Sequence, residues 1–182
     1  MKSVWFTSDT HFGHANILQY EPEARPFKTI EEMNETLVER WNSVVRDADT
    51  IYHLGDFCFG KANLDIADRL RGKKRLVMGN HDSYDASSYL LYFEKLYGVK
   101  YWKQCVLSHM PVHHNGLGSR WMLNIHGHLH SKAVVHDIDP YDDSMFSKGD
   151  EDRNYFNVSV ERHNLTPIHS DIIMERIKEL NQ

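Results

Sequence analysis

Five short apolar runs, each closing on a polar cluster, limit what this chain can fold into more than any other feature. They are SVWFTSDTH (3–11), TIYHLGD (50–56), RLVMGNHD (75–82), QCVLSH (104–109) and MLNIHGHLH (122–130). Runs this short, rich in β-branched and bulky apolar residues, read as buried strands. Each polar cluster then sits where a strand gives way to a loop. Helical spacing separates some of the runs. In 29–45, Ile30, Met33, Leu37, Trp41 and Val44 share one face behind Thr29 as N-cap. Residues 63–72 read as a shorter helix ending at Gly72, and 87–98 as a third. Farther along, 132–136 and 155–160 read as strands, and 170–182 as a terminal helix capped by Ser170. The acidic stretch 137–154 has little hydrophobic pattern and reads as an exposed loop. Alternating strands and helices predict an α/β protein, whose functional loops gather at the carboxyl ends of its strands. Clusters far apart in sequence can therefore converge in space.

Composition narrows the setting. A chain of 182 residues, 41% hydrophobic, suffices for one domain with a real core, and no linker or repeat divides 1–182. No apolar run nears the length of a membrane span, and the first residues lack a signal-peptide core, so the expected location is cytoplasmic. A net charge of −5 argues against an extended nucleic-acid surface. Cys58 and Cys105 are too few for a disulfide framework or a thiolate zinc site, though one bridge is open to them.

The clusters supply the carboxylates of Asp9 and Asp56, the imidazoles of His11, His81, His109, His128 and His130, and the amide oxygen of Asn80. This nitrogen and oxygen set suits manganese, iron, nickel, cobalt or zinc. One divalent ion needs only about four to six ligands. The surplus of donors suggests two ions sharing a carboxylate, the arrangement that clamps both attacking and leaving oxygens. In DTH and HLH the donors stand at i and i+2, on one side of an extended segment. Gly55, Gly79 and Gly127 precede Asp56, Asn80 and His128, where close backbone approaches are expected.

The five clusters, DTH (9–11), GD (55–56), GNHD (79–82), SH (108–109) and GHLH (127–130), resemble the motifs of the calcineurin-like metallophosphoesterases, in order and with none missing. SDTHFGH, RPF, EEMNE and NVSVE add a looser likeness to a small single-domain bacterial and phage branch. The resemblance implies an α/β/β/α sandwich of two mixed sheets flanked by helices. It implies two divalent ions, manganese first among them. Asp9, His11, Asp56 and His130 would hold one ion; Asp56 would bridge to a second held by Asn80, His109 and His128. His81 would face the substrate phosphate, oriented by Asp82. The implied reaction is hydrolysis of a small phosphoester by a metal-bridging hydroxide, with a phosphodiester of the small or cyclic nucleotide type ahead of a phosphomonoester. A non-catalytic binding scaffold of the same fold is the alternative from another class, but scaffolds of this kind usually lose motif residues. The H-x-H-x-D-H cluster of metallo-β-lactamases is absent.

The remaining polar residues divide less sharply. His14 reaches either the substrate or a helix start. Arg25 either forks onto a phosphate oxygen or forms a surface ion pair. Arg120, in the loop 113–121, is placed to meet a base or leaving group, and His113 and His114 read as solvated. His126 shares the alternation of His128 and His130 but falls outside the family pattern, so it reads as buried or supporting. His53 reads as structural, His136, His163 and His169 as surface or packing residues, and Cys58 as a buried filler.

Overall fold

The computed structural model describes residues 2–135 and 150–182. In chain order the strands are β1 (Val4–Thr7), β2 (Thr50–His53), β3 (Lys73–Val77), β4 (Lys95–Tyr97), β5 (Lys100–Trp102), β6 (Cys105–Leu107), β7 (Leu123–His126), β8 (Tyr155–Asn157) and β9 (Ile168–His169). They form two sheets, ordered β4-β3-β2-β1-β9 and β5-β6-β7-β8. Both are mixed. In the first, β1 to β4 run parallel and β9 pairs antiparallel with β1. In the second, β6, β7 and β8 run parallel and β5 is antiparallel. The α-helices are α1 (Ile17–Tyr20), α2 (Ile30–Val44), α3 (Ala86–Tyr89) and α4 (Ser170–Leu180).

Strand alternation builds two cores. Trp5, Ile51 and Leu76 point away from the second sheet and pack with Met33, Leu37 and Trp41 of α2. Their neighbours Phe6, Tyr52 and Val77 point the other way, onto Cys105, Leu107, Leu123 and Ile125, with Ile173 and Ile177 of α4 closing this inner layer. The helical stripe expected in α2 is therefore its buried face. Thr29 caps it, accepting a hydrogen bond from the Glu32 N–H. Both cysteines are buried and free, so no bridge joins them.

Several expected elements differ. Residues 87–98 are not one helix: a single turn, α3, is followed by β4, because Lys95–Tyr97 pair with Arg75–Val77 at the sheet edge. Lys61–Arg69 is a 3-10 segment. The cap of α4 is His169, whose Nδ1 accepts from the Asp171 N–H, not Ser170. The segment from 132 keeps only an isolated bridge from Val135 to Glu151. After β8 the chain turns at once into a 3-10 segment, Val160–His163. His136 and most of the acidic stretch lie outside the described residues.

Candidate metal centre

The parallel strands deliver the clusters to one place. Asp9, Asp56 and Asn80 follow the carboxyl ends of β1, β2 and β3; His109, His128 and His130 follow those of β6 and β7. Backbone hydrogen bonds stitch the loops together. The Asp9 N–H donates to Gly55 O and His11 to Asp56 O, while Gly127 donates to His109 O across the second sheet. The Ser8 N–H donates to Val158 O and the Val160 N–H to Ser8 O, joining the two sheets at their ends.

Left-handed backbone turns the donors inward. Asp9, His11, Asp56, His128 and His130 all have φ between 49° and 69°; among the described residues only Lys103, Asn164 and Leu165 share this without being glycine. For an L-residue that conformation costs about 1–2 kcal/mol, and its clustering at one spot is a mark of a functional site. Two glycines make the room. A Cβ on Gly79 would fall on the Asp56 carboxylate and main chain, and one on Gly127 on the Asp9 carboxylate and Ser8 side chain.

Asp9, His11 and His130 form one triad of candidate ligands, and Asp9, Asp56 and His109 another, with Asp9 common to both. His11 is almost fully buried, and among the described residues neither ring nitrogen has a hydrogen-bond partner. Its Nε2 lies 3.9 Å from Asp9 Oδ1 and 3.8 Å from Asp56 Oδ2. An unsatisfied buried imidazole is costly, and a cation between these atoms would satisfy it. Burial, with Asp56 pulling the other way, holds the His11 pKa well below its ordinary value, which keeps the ring neutral as a ligand must be. The His130 ring stacks on His11 at 5.1 Å, and its Nδ1 lies 2.9 Å from Glu161 Oε1.

On the other side, His109 Nδ1 lies 2.8 Å from Leu54 O. A carbonyl only accepts, so Nδ1 carries the proton and Nε2 offers its lone pair. That Nε2 faces Asn80 Oδ1 at 2.9 Å and Asp56 Oδ2 at 3.4 Å. Without a cation, burial disfavours charge on His109, but Asp56 and Asp9 outweigh it and lift the pKa to about 9. Burial would likewise raise Asp56, yet the His109 ring and the His81 N–H hold it below the ordinary carboxylate range. Asp9 is wholly buried, and burial raises its pKa against the lowering pull of His109 and His130. His128 is half-buried; its N–H donates to Asp9 and its ring edges onto His109 at 5.1 Å. The donor set thus fits divalent cations.

The calcineurin-like phosphoesterase family matches residues 2–176. The chain belongs to this family. The phosphoesterase is 34% identical to the uncharacterized protein MJ1445 of Methanocaldococcus jannaschii, over 98% of this chain and 93% of that one. It is 32% identical to the Gene 66 protein of Mycobacterium phage L5, over 74% of this chain and 81% of the phage protein. It also resembles the crystal structure of the Aquifex aeolicus protein of unknown function AQ665, with a TM-score of 0.72 and 28% identity, covering 96% and 99% of the two chains. Family membership makes it a phosphoester hydrolase with a metal-binding site, and the two mixed sheets with helices are the fold the motifs implied. Among the described residues no helix is long and apolar enough to cross a membrane.

Two sequence expectations for the phosphoesterase need correction. Arg25 faces neither substrate nor solvent; it is 1% exposed. Its Nε and Nη2 donate to Glu161 Oε1 at 2.9 and 2.6 Å, Nη1 to Thr10 O and Met33 Sδ, and Nη2 also to Asp9 O. All five guanidinium N–H groups are committed, so none is left for a phosphate. Asp82 does not orient the His81 ring. Its oxygens accept the N–H groups of Asp56, Phe57 and Gly79, which staples two site loops together. Arg120, the other substrate contact expected from the loop 113–121, lies over the Trp121 ring, which stacks on Tyr101.

His81 itself projects from the phosphoesterase centre with a half-exposed ring, its N–H donating to Asp56 Oδ1 at 2.9 Å. His14 stands beside it, stacked at 3.8 Å on Phe59, whose ring also lies 4.9 Å from His81. His126 is buried, with Nδ1 bonded to Gly127 O. His53 is buried and bonds Thr10 Oγ1. Sequence reasoning missed two members of the site, Phe59 and Glu161. Only the Glu ending NVSVE hinted at the second.

Proposed function

We propose that this phosphoesterase is a dinuclear-metal-dependent phosphodiesterase acting on small diesters of the nucleotide type. The buried His11 ring carries the proposal: it lies between two carboxylates with no hydrogen-bond partner among the described residues, the setting of a metal ligand. Asp9, His11, Asp56 and His130 would hold one divalent ion, and Asp56, Asn80, His109 and His128 the second, with manganese the first metal to test. Such ions lower the pKa of water towards about 7 and stabilise charge on the phosphoryl oxygens.

The chain's own groups do the rest. Asp9 and Asp56 bring only two negative charges to a site that two divalent ions would leave positive, so an anionic ester is attracted although the chain carries −5 overall. The half-exposed His81 ring, fixed at its backbone by Asp56, is free to meet the ester and protonate the departing oxygen. Beside Asn80 and His109 opens a cleft of about 440 Å³, walled by Met78, Val99, Met110 and Pro111. Its size and apolar walls suit a planar leaving group such as a base. A second cleft, by Tyr20, Ser131 and Lys132, touches no candidate donor.

Hydrolysis of bis-p-nitrophenyl phosphate and p-nitrophenyl phosphate by manganese-loaded protein tests the reading. Faster turnover of the diester is expected. Faster turnover of the monoester makes the protein a phosphatase, and inert, metal-free protein makes it a scaffold.

A further inference from the structure

Arg25 and Glu161 stand 136 residues apart and meet in the interior, with both side chains 0% exposed. Their meeting point is a node. Glu161 Oε1 takes Arg25 Nε and Nη2 and also His130 Nδ1, while Arg25 reaches on to the carbonyls of Asp9 and Thr10. The node therefore ties DTH to GHLH from behind, on the side away from solvent. A carboxylate can only accept, so the His130 Nδ1 that faces it carries the proton. The ring is then left with its Nε2 lone pair to offer an ion shared with Asp9 and His11, with which it forms a candidate ligand triad.

We propose that Glu161 is the positioning residue of the His130 half of the centre, fixing the tautomer and direction of that ring, and that Arg25 holds Glu161 in place. The proposal rests on the metal-centre reading but not on the reaction, and a scaffold that bound two ions would need the same device. Arg25 thus supports the site through the backbone carbonyls and through Glu161 without ever meeting substrate. This role accounts for its burial, which neither a phosphate clamp nor a surface ion pair does.

The test is made on full-length protein with zinc, which is diamagnetic. With histidine labelled by nitrogen-15, the zinc-loaded native protein should show His130 protonated at Nδ1 and metal-bound at Nε2. In parallel, zinc is titrated against a competing chelator into native protein and Glu161→Gln. The glutamine keeps an acceptor oxygen but loses the charge. One of the two zinc positions should weaken by about 10–100-fold while the other holds, the usual cost of losing an outer-shell carboxylate. Native protein that binds no zinc refutes the underlying metal-centre reading. Native protein that binds two zinc ions, with His130 ligating through Nδ1, or with both positions equally strong or equally weakened in Glu161→Gln, overturns the proposal alone. The spectrum of the native protein decides the matter even when the variant does not fold.

Discussion

The two halves of the donor cluster are built differently. Around Asp9, His11 and His130 the first two donors are buried, and the His130 ring, with its side chain 23% exposed, is braced from behind by an internal ion pair. Around Asn80, His109 and His128 the site opens at Asn80, which is exposed, and at the half-buried His128, while the buried His109 is braced only by the neutral carbonyl of Leu54. A charged brace raises ligand basicity more than a neutral one, and burial slows exchange with solvent. The closed half is therefore organised to keep an ion, and the open half, beside the apolar cleft and His81, to meet a substrate.

The largest effect should come from erasing what the halves share. Asp56→Ala removes the carboxylate that faces His11 and His109 alike, and should cost at least about 10³-fold in turnover, ~4 kcal/mol. At least one metal equivalent should be missing by elemental analysis. A variant that retains both ions contradicts the bridging role. Next, Arg25→Met strikes only the closed half. It leaves Glu161 buried without its cation, and should lower stability by about 3–5 kcal/mol in urea unfolding; a loss below about 1 kcal/mol would show that the ion pair does not brace this half. His81→Ala strikes only the open half, and a loss of about 10²–10⁴-fold in turnover with both ions retained is expected. Parallel loss of metal and activity would remove His81 from its role.

The last effect appears only in acid and concerns the floor beneath both halves. His53 donates from Nε2 to Thr10 Oγ1, whose own hydrogen goes to Phe57 O, and its Nδ1 has no partner. Burial, against a weaker pull from Asp56, lowers its pKa from 6.5 to about 3. The folded state thus keeps this ring neutral where the unfolded chain would protonate it. Stability is intact above about pH 6.5 and falls by about 1.4 kcal/mol per pH unit from this one group as acid is added, down to about pH 3. His53→Gln should flatten the acid limb of a urea-midpoint profile by about that slope; an unchanged slope would place the acid sensitivity elsewhere.

Much of this arrangement was legible in the sequence, for physical reasons. β1, β2, β3, β6 and β7 lie inside their sheets, so each carries a short apolar run at its end or along it, and their donors follow within a few residues. β4, β5 and β9 are edge strands of two or three residues with no donor cluster behind them, so little in the sequence marks them. In 87–98 the apolar spacing does resemble a helix, but pairing with β3 overrides it at the sheet edge. The donors could be read because they cluster. Glu161 could not, because a lone glutamate does not announce that it is buried, and its partner Arg25 comes from the other end of the chain. Asp82 was misjudged for a related reason. The family resemblance implies a partnership with the His81 ring, whereas the Asp82 carboxylate turns to backbone amides.

The left-handed residues carry one more consequence. Glycine at position 9, 11, 56, 128 or 130 would relieve the backbone of conformational strain, and would delete a candidate ligand in the same stroke. At these five positions selection for robustness and selection for activity pull in opposite directions. Offspring of this chain chosen only for surviving heat should drift toward a sturdier, silent protein.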